Sequence, residues 1–200
     1  MNTQEYGLKP GQELFEGDYR TKMAELREAG YTPWSTENYM DARNEVPAKH
    51  PRWNNFIDTD FGIAESKKKI YVMPHSARLR AVTPKTRLTD GGIPMGMDAF
   101  DEAKIYARSD LILDRNLTEK EARASPVWLN FAAGDQKRLD TYVKNTFRFG
   151  KDKFKYDTMM GIFILEDEAE RAVVLGRLGY RYQAYGVHLC SGTRFVGVRK

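Results

Sequence analysis

His188 and Cys190 stand two residues apart in an alternating apolar and polar segment, so a strand would place both on one face. An imidazole that close can lower a thiol pKa, which is what a nucleophilic cysteine requires. With Tyr182 on the same face, the group outlines a pocket for a small enzyme of transferase or hydrolase type. The same spacing equally serves a small buried hydrophobe beside a hydrogen-bonded histidine. Asp58 and Asp60 flank Thr59, and paired carboxylates can hold magnesium or divide acid and base roles, although aspartates in irregular chain more often close turns. His50 and His75 are remote in sequence from His188 and Cys190, so no metal site and no cofactor are expected. Gly91, Gly92 and Gly96 precede a candidate helix but lack the lysine-serine pair or glycine triad of a phosphate loop.

The most extended signal runs from Phe147 to Tyr156, where Arg148, Lys151, Lys153 and Lys155 interleave with Phe149, Phe154 and Tyr156. Lys137 and Lys144 lie upstream on the polar side of the same predicted helix. Cations neutralise phosphates while rings stack on unpaired bases, so Lys137, Lys144, Arg148, Phe149, Lys151, Lys153, Lys155 and Tyr156 form a candidate nucleic-acid surface. The competing reading puts the aromatics in the core while the lysines reach water.

Charge distribution supports an anionic partner. The net charge is +4, yet residues 136–156 hold seven cations against two acids, and residues 67–96 hold seven against one. Residues 1–66 are acidic, with twelve Asp or Glu against seven Lys or Arg. Unlike-charged segments can also neutralise one another across a fold, and a protein partner fits such surfaces as well. The single cysteine excludes an internal disulfide. No stretch has the length and apolarity of a membrane span, and residues 1–14 are too polar for a signal peptide, so no membrane partner and a soluble, cytoplasmic protein are expected.

The elements that must position these groups follow from caps and periodicity. Asp18 caps a helix with Tyr19, Met23 and Leu26 on one face, and Gly30 ends it. Ser35 or Thr36 opens a short helix to about Arg43. Prolines 47 and 51 then predict irregular chain to about Glu65, with Trp53, Phe56, Ile57 and Phe61 plugging it onto the core. Residues 68–73 and 77–82 read as strands around Pro74, His75 and Ser76, and Asp98 caps a further helix. Thr118 with Glu121 forms a capping box, Ser125-Pro126 starts the next helix, and Asp135 caps a long one with Leu139, Tyr142, Val143 and Phe147 inside. The tail reads as strand 160–165, helix 167–178, and strands 180–189 and 193–198 joined as a hairpin at Ser191-Gly192, so that His188 faces Phe195 and Val187 faces Val196.

That strand, a helix ending in Leu178-Gly179-Tyr180 and two strands resemble the C-terminal part of acyl-CoA-dependent N-acetyltransferases, where an aromatic follows a leucine-glycine pair. The resemblance covers about the last fifth of the chain, the glycine-bearing pyrophosphate loop is missing, and Gly176 stands where those enzymes tend to carry a tyrosine. It assigns no family.

The expected fold class is α+β, a mainly antiparallel sheet packed against several helices in a single compact domain over residues 1–200. Residues 1–66 form a helical and irregular part wrapped on one side, and residues 67–200 form the α+β body. The expected function is a noncatalytic intracellular binding or accessory protein, with nucleic acid or another polyanion as favoured ligand. A small enzyme and a structural or assembly protein are the alternatives.

Overall fold

The computed structural model describes residues 6–47, 50–95, 103–165, 169–178, 181–187, 189 and 192–199. The chain begins with β1 (Gln12–Asp18), α1 (Tyr19–Glu28), β2 (Tyr31–Pro33) and α2 (Thr36–Asn44). A 3-10 turn at Pro51–Asn54 leads to β3 (Phe56–Ser66), β4 (Lys69–Met73), α3 (Ala77–Ala81), β5 (Ile93–Pro94) and β6 (Lys104–Ala107). Next come α4 (Glu119–Ala124), α5 (Pro126–Phe131) and α6 (Gln136–Phe154), and β7 (Gly161–Phe163), β8 (Ala169–Leu178), β9 (Arg181–Val187) and β10 (Gly192–Arg199) close the order. The fold is α+β, as expected. A three-stranded sheet runs β1-β10-β2, and a larger one runs β6-β4-β3-β8-β9-β7 with β5 on β8. Among the described residues every pairing is antiparallel except β7 with β9.

Helix starts obey the local chemistry. The side chains of Asp18, Ser35, Thr118, Ser125 and Asp135 accept backbone N–H bonds from Thr21, Asn38, Glu121, Trp128 and Arg138, satisfying donors that a helix start leaves open. Thr118 and Glu121 make the reciprocal box, and α1 ends at Gly30 with φ +76°.

The strands correct the sequence reading in five places. Residues 56–66 are not loop: β3 is the middle of the large sheet, pairing with β4 and β8, and Asp58 to Glu65 are all buried. Its Asp-Thr-Asp run looks like turn because such polarity inside a strand is tolerable only with partners supplied from afar. Residues 77–81 form α3 and not a strand, because His75 turns the chain at φ +53° and the Ser76 hydroxyl caps the helix. Residues 169–178 form β8 and not a helix, flanked by β3 and β9, which removes the basis of the acetyltransferase resemblance. The last two strands do not pair as a hairpin. Strand β9 lies between β8 and β7, while β10 lies between β1 and β2, so Phe195 faces Phe15 and Val196 faces Leu14. Finally, residues 1–66 are not a wrap on one side, since they supply β1 and the central β3. The helix assigned to Asp98 lies outside the described residues.

The principal core lies between the large sheet and α2, α5 and α6 and draws on residues from Tyr6 to Val196, including Trp53, Trp128, Phe131, Tyr142 and Phe147. A second cluster seats α1 through Tyr19, Met23 and Leu26 against Leu79, Val82 and Phe195. Arg43 is fully buried in the first core, where its guanidinium lies 4.3 Å from the Tyr39 ring centroid and 5.1 Å from that of Trp53 and donates to the Asn55 carbonyl at 2.5 Å. Burying that charge is tolerable because carbonyls and ring faces replace its water.

Candidate functional site

Helix α6 carries two faces with different tasks. Leu139, Tyr142, Val143, Thr146, Phe147, Phe149 and Gly150 are buried. Lys137, Lys144, Arg148 and Lys151 are exposed and stand at i, i+7, i+11 and i+14. At 3.6 residues per turn these four fall within an arc of about 60° and extend over about 21 Å of helix. Lys155 follows in the left-handed cap with φ +59°, where the helical period ends, and its ammonium lies 3.5 Å from the Asp152 carbonyl oxygen. Asp140, Thr141 and Asp152 flank that arc, and no apolar side chain of the helix falls within it.

The row is largely free of internal neutralisation. Arg148 approaches Asp152 at 4.0 Å with both side chains more than 70% exposed, a geometry of little energetic value. Among the described residues, Lys144 and Lys151 form no salt bridge. By contrast, Arg138 is tied to Asp41 at 2.8 Å and Arg123 to Glu119 and Asp140, so those cations serve the fold.

Three members of the sequence-derived strip change role. Phe149 is 5% exposed and stacks on Trp53 with centroids 6.0 Å apart, so it is a core ring and not a platform for bases. Lys153 points away from the row; its ammonium bonds to Asn54 and lies 5.2 and 5.4 Å from the rings of Phe149 and Phe154. Tyr156 is half-buried and stacks on Phe154 at 5.8 Å. Lys137, Lys144, Arg148 and Lys151 are thus brought onto one face with Lys155 exposed at its end, while Phe149, Lys153 and Tyr156 are not on it.

Asp58 and Asp60 are in the same strand but serve different neighbours. Asp58 is 2% exposed and accepts from the Arg194 backbone N–H at 2.8 Å, joining β3 to β10. Burial raises its pKa to about 6 despite the bond from the Arg194 N–H and the nearby Arg194 charge. Asp60 is fully buried and accepts from Arg80 Nε at 2.5 Å, with His75 Nδ1 3.5 Å away. His75 also reaches Glu37 at 3.2 Å. Hydrogen bonds to Asp60 and then Glu37 raise the imidazole pKa to about 10, so the ring is a cation at neutral pH and cannot act as a base. Burial opposes ionisation of Glu37, yet bonds from His75 and Ser35 outweigh it and lower that carboxyl to about 2. Glu170, also buried, takes the Ser76 hydroxyl and lies 3.2 Å from Arg78. These carboxylates hold α3 and the loop before it onto the sheet. Among the described residues, no group of three or more His, Cys, Asp or Glu is placed to hold a metal ion.

The backbone of Tyr182 lies in β9, while its side chain, His188 and Cys190 are outside what is described. A cleft of about 350 Å³, not anticipated from the sequence, opens between the small sheet and α2. Its floor contains the cross-strand row Gln12, Val198 and Thr32, and its wall contains Asn38, Asp41, Ala42 and Glu45. The i, i+3, i+4, i+7 spacing of that wall was the readable sign of a shared helix face. Lys9 straps the mouth by bonding Glu45 at 2.9 Å, and Arg52 clamps the rim through the carbonyls of Tyr6 and Gly7.

No family model matches the chain, and no curated protein does. A solved structure described as "Accommodation of massive sequence variation in Nanoarchaeota by the C-type lectin fold" superposes with a TM-score of 0.72 at 16% identity, covering 94% of this chain and 97% of that one. The chain therefore has a C-type lectin-like fold. Among the described residues no helix is long and apolar enough to cross a membrane.

Proposed function

We propose that this protein is a noncatalytic binding protein that holds a polyanion, nucleic acid being the favoured class, on the outer face of α6. The observation that carries this reading is the row Lys137, Lys144, Arg148 and Lys151, exposed on one side of a helix whose other side is core, with Lys155 exposed at its cap. A rigid row of cations releases condensed counterions when it meets phosphates, and that release supplies affinity without a pocket. The neighbouring fold supports a binding role: a scaffold described as accommodating massive sequence variation suits a changeable surface better than a fixed catalytic constellation. The carboxylates that could have divided acid and base roles are engaged in joining elements of the fold.

The test is titration of a fluorescently labelled oligonucleotide at low salt, comparing the protein with Lys144→Gln/Lys151→Gln. Binding that weakens in the variant while its melting temperature is unchanged supports the proposal. Absence of binding, or equal binding by both proteins, overturns it.

A further inference from the structure

We infer that the α6 face engages the phosphate backbone of a nucleic-acid duplex without reading its bases; this rests on the reading of that face as a polyanion site. Single-strand binders add aromatic platforms on which bases stack. Here the nearby rings are occupied: Phe149 lies against Trp53, and Phe154 and Tyr156 lie against each other with planes inclined at 20°.

Sequence reading in the major groove uses Arg, Lys, Asn or Gln directed at base edges. The amides nearest the row are engaged elsewhere. Asn145 donates to Asn44 at 3.2 Å, and Gln136 donates to Asp140 at 3.0 Å and to the Arg123 carbonyl at 3.2 Å. What remains on the arc is one guanidinium and several ammonium groups in a straight row with no amide beside them to fix a base pattern, an arrangement that matches the regular line of phosphates. Membrane attachment by a helix needs an apolar face beside the basic one, and the exposed arc contains none.

The ligand that fits is stiff and densely charged. A duplex carries one charge per about 1.7 Å of axis over its two strands, so about 12 phosphates lie within the 21 Å that the row spans, and those on the near side can meet four or five cations without either partner bending. Asp140 and Asp152 border the arc and limit the contact to a narrow strip along the helix axis.

The experiment is an anisotropy competition at about 50 mM salt, using duplexes of about 20 base pairs with contrasting base composition, a single strand of equal length and vesicles of anionic lipid. The expected result is that duplexes compete equally whatever their composition and better than the single strand. Lys144→Glu/Lys151→Glu should lose about tenfold or more of duplex affinity. A single strand that competes better, or duplexes ranked by composition, with the variant still impaired, overturns the duplex inference and leaves the polyanion reading standing. Binding to vesicles alone, to nothing, or with no effect of the variant overturns both. Thermal melting of the variant checks that it is folded, which its exposed positions favour.

Discussion

Trp53 and Phe149 stack with centroids 6.0 Å apart and planes inclined at 20°, locking the C-terminal half of α6 onto the turn that precedes β3. Tyr142 stacks on the same indole at 6.0 Å, so one tryptophan anchors two turns of the helix. This places the underside of α6 in the most aromatic part of the core and leaves its cations on the opposite side. Packing and charge can therefore be altered separately.

Phe149→Ala is expected to cost about 3–5 kcal/mol, because removing a buried ring leaves a cavity against Trp53 and Phe154. Urea denaturation measures this loss. Oligonucleotide affinity of the fraction that remains folded should be unchanged, whereas a ring that stacked on bases would show the reverse pattern.

Gly176→Ala distinguishes strand from helix at residues 169–178 by sign. In a helix the change would stabilise by about 1 kcal/mol. In β8, Gly176 has φ +139°, and an added Cβ would lie 2.5 Å from the Asn55 carbonyl oxygen and 2.6 Å from both Phe56 Cα and the Tyr39 hydroxyl. The expected outcome is a loss of about 2–4 kcal/mol, read as a lower denaturation midpoint.

Asp58 makes stability depend on pH. Its folded pKa of about 6 lies above the ordinary 3.8, so the fold favours the protonated carboxyl. Its stabilising contribution is complete below about pH 4 and is lost as pH rises through about 6. Asp58→Asn should flatten that decline and raise stability near neutral pH by about 1–3 kcal/mol, since an amide oxygen can still accept from the Arg194 N–H. Denaturation at several pH values between about 4 and 7 measures the difference. An identical slope in both proteins would show that Asp58 is ionised at no cost.

Five helices were legible because their starts are written in adjacent residues: Asp18, Ser35, Thr118, Ser125 and Asp135 each act within three positions, whereas the Ser76 cap of α3 was hidden by the β-like residues that follow it. Strands depend on remote partners, and the other errors fall there. The Asp58-Thr59-Asp60 run reads as loop until Arg80, His75 and the Arg194 backbone arrive to neutralise it. In sequence, Ser191-Gly192 argues for a hairpin between β9 and β10, yet Gly192 is already in β10 opposite Asp18, and the strand's partners are β1 and β2, from the other end of the chain. The cationic row was visible in the spacing of Lys137, Lys144, Arg148 and Lys151. Reading the alternation of rings and cations after Phe147 as one mixed surface obscured the fact that, at about 100° per residue, Phe149 falls on the buried side and Lys153 off the row.

The salt dependence of duplex binding tests the central claim most directly, because it counts phosphate contacts. The logarithm of the association constant plotted against the logarithm of salt concentration should fall with a slope of about −0.9 for each cation engaged, so four or five contacts give about −3.6 to −4.5. Lys144→Gln/Lys151→Gln should reduce the magnitude of that slope by about 1.8 while leaving the melting temperature in place. A slope near zero, or one that the double substitution leaves unchanged, would contradict the assignment of the α6 face as the binding surface.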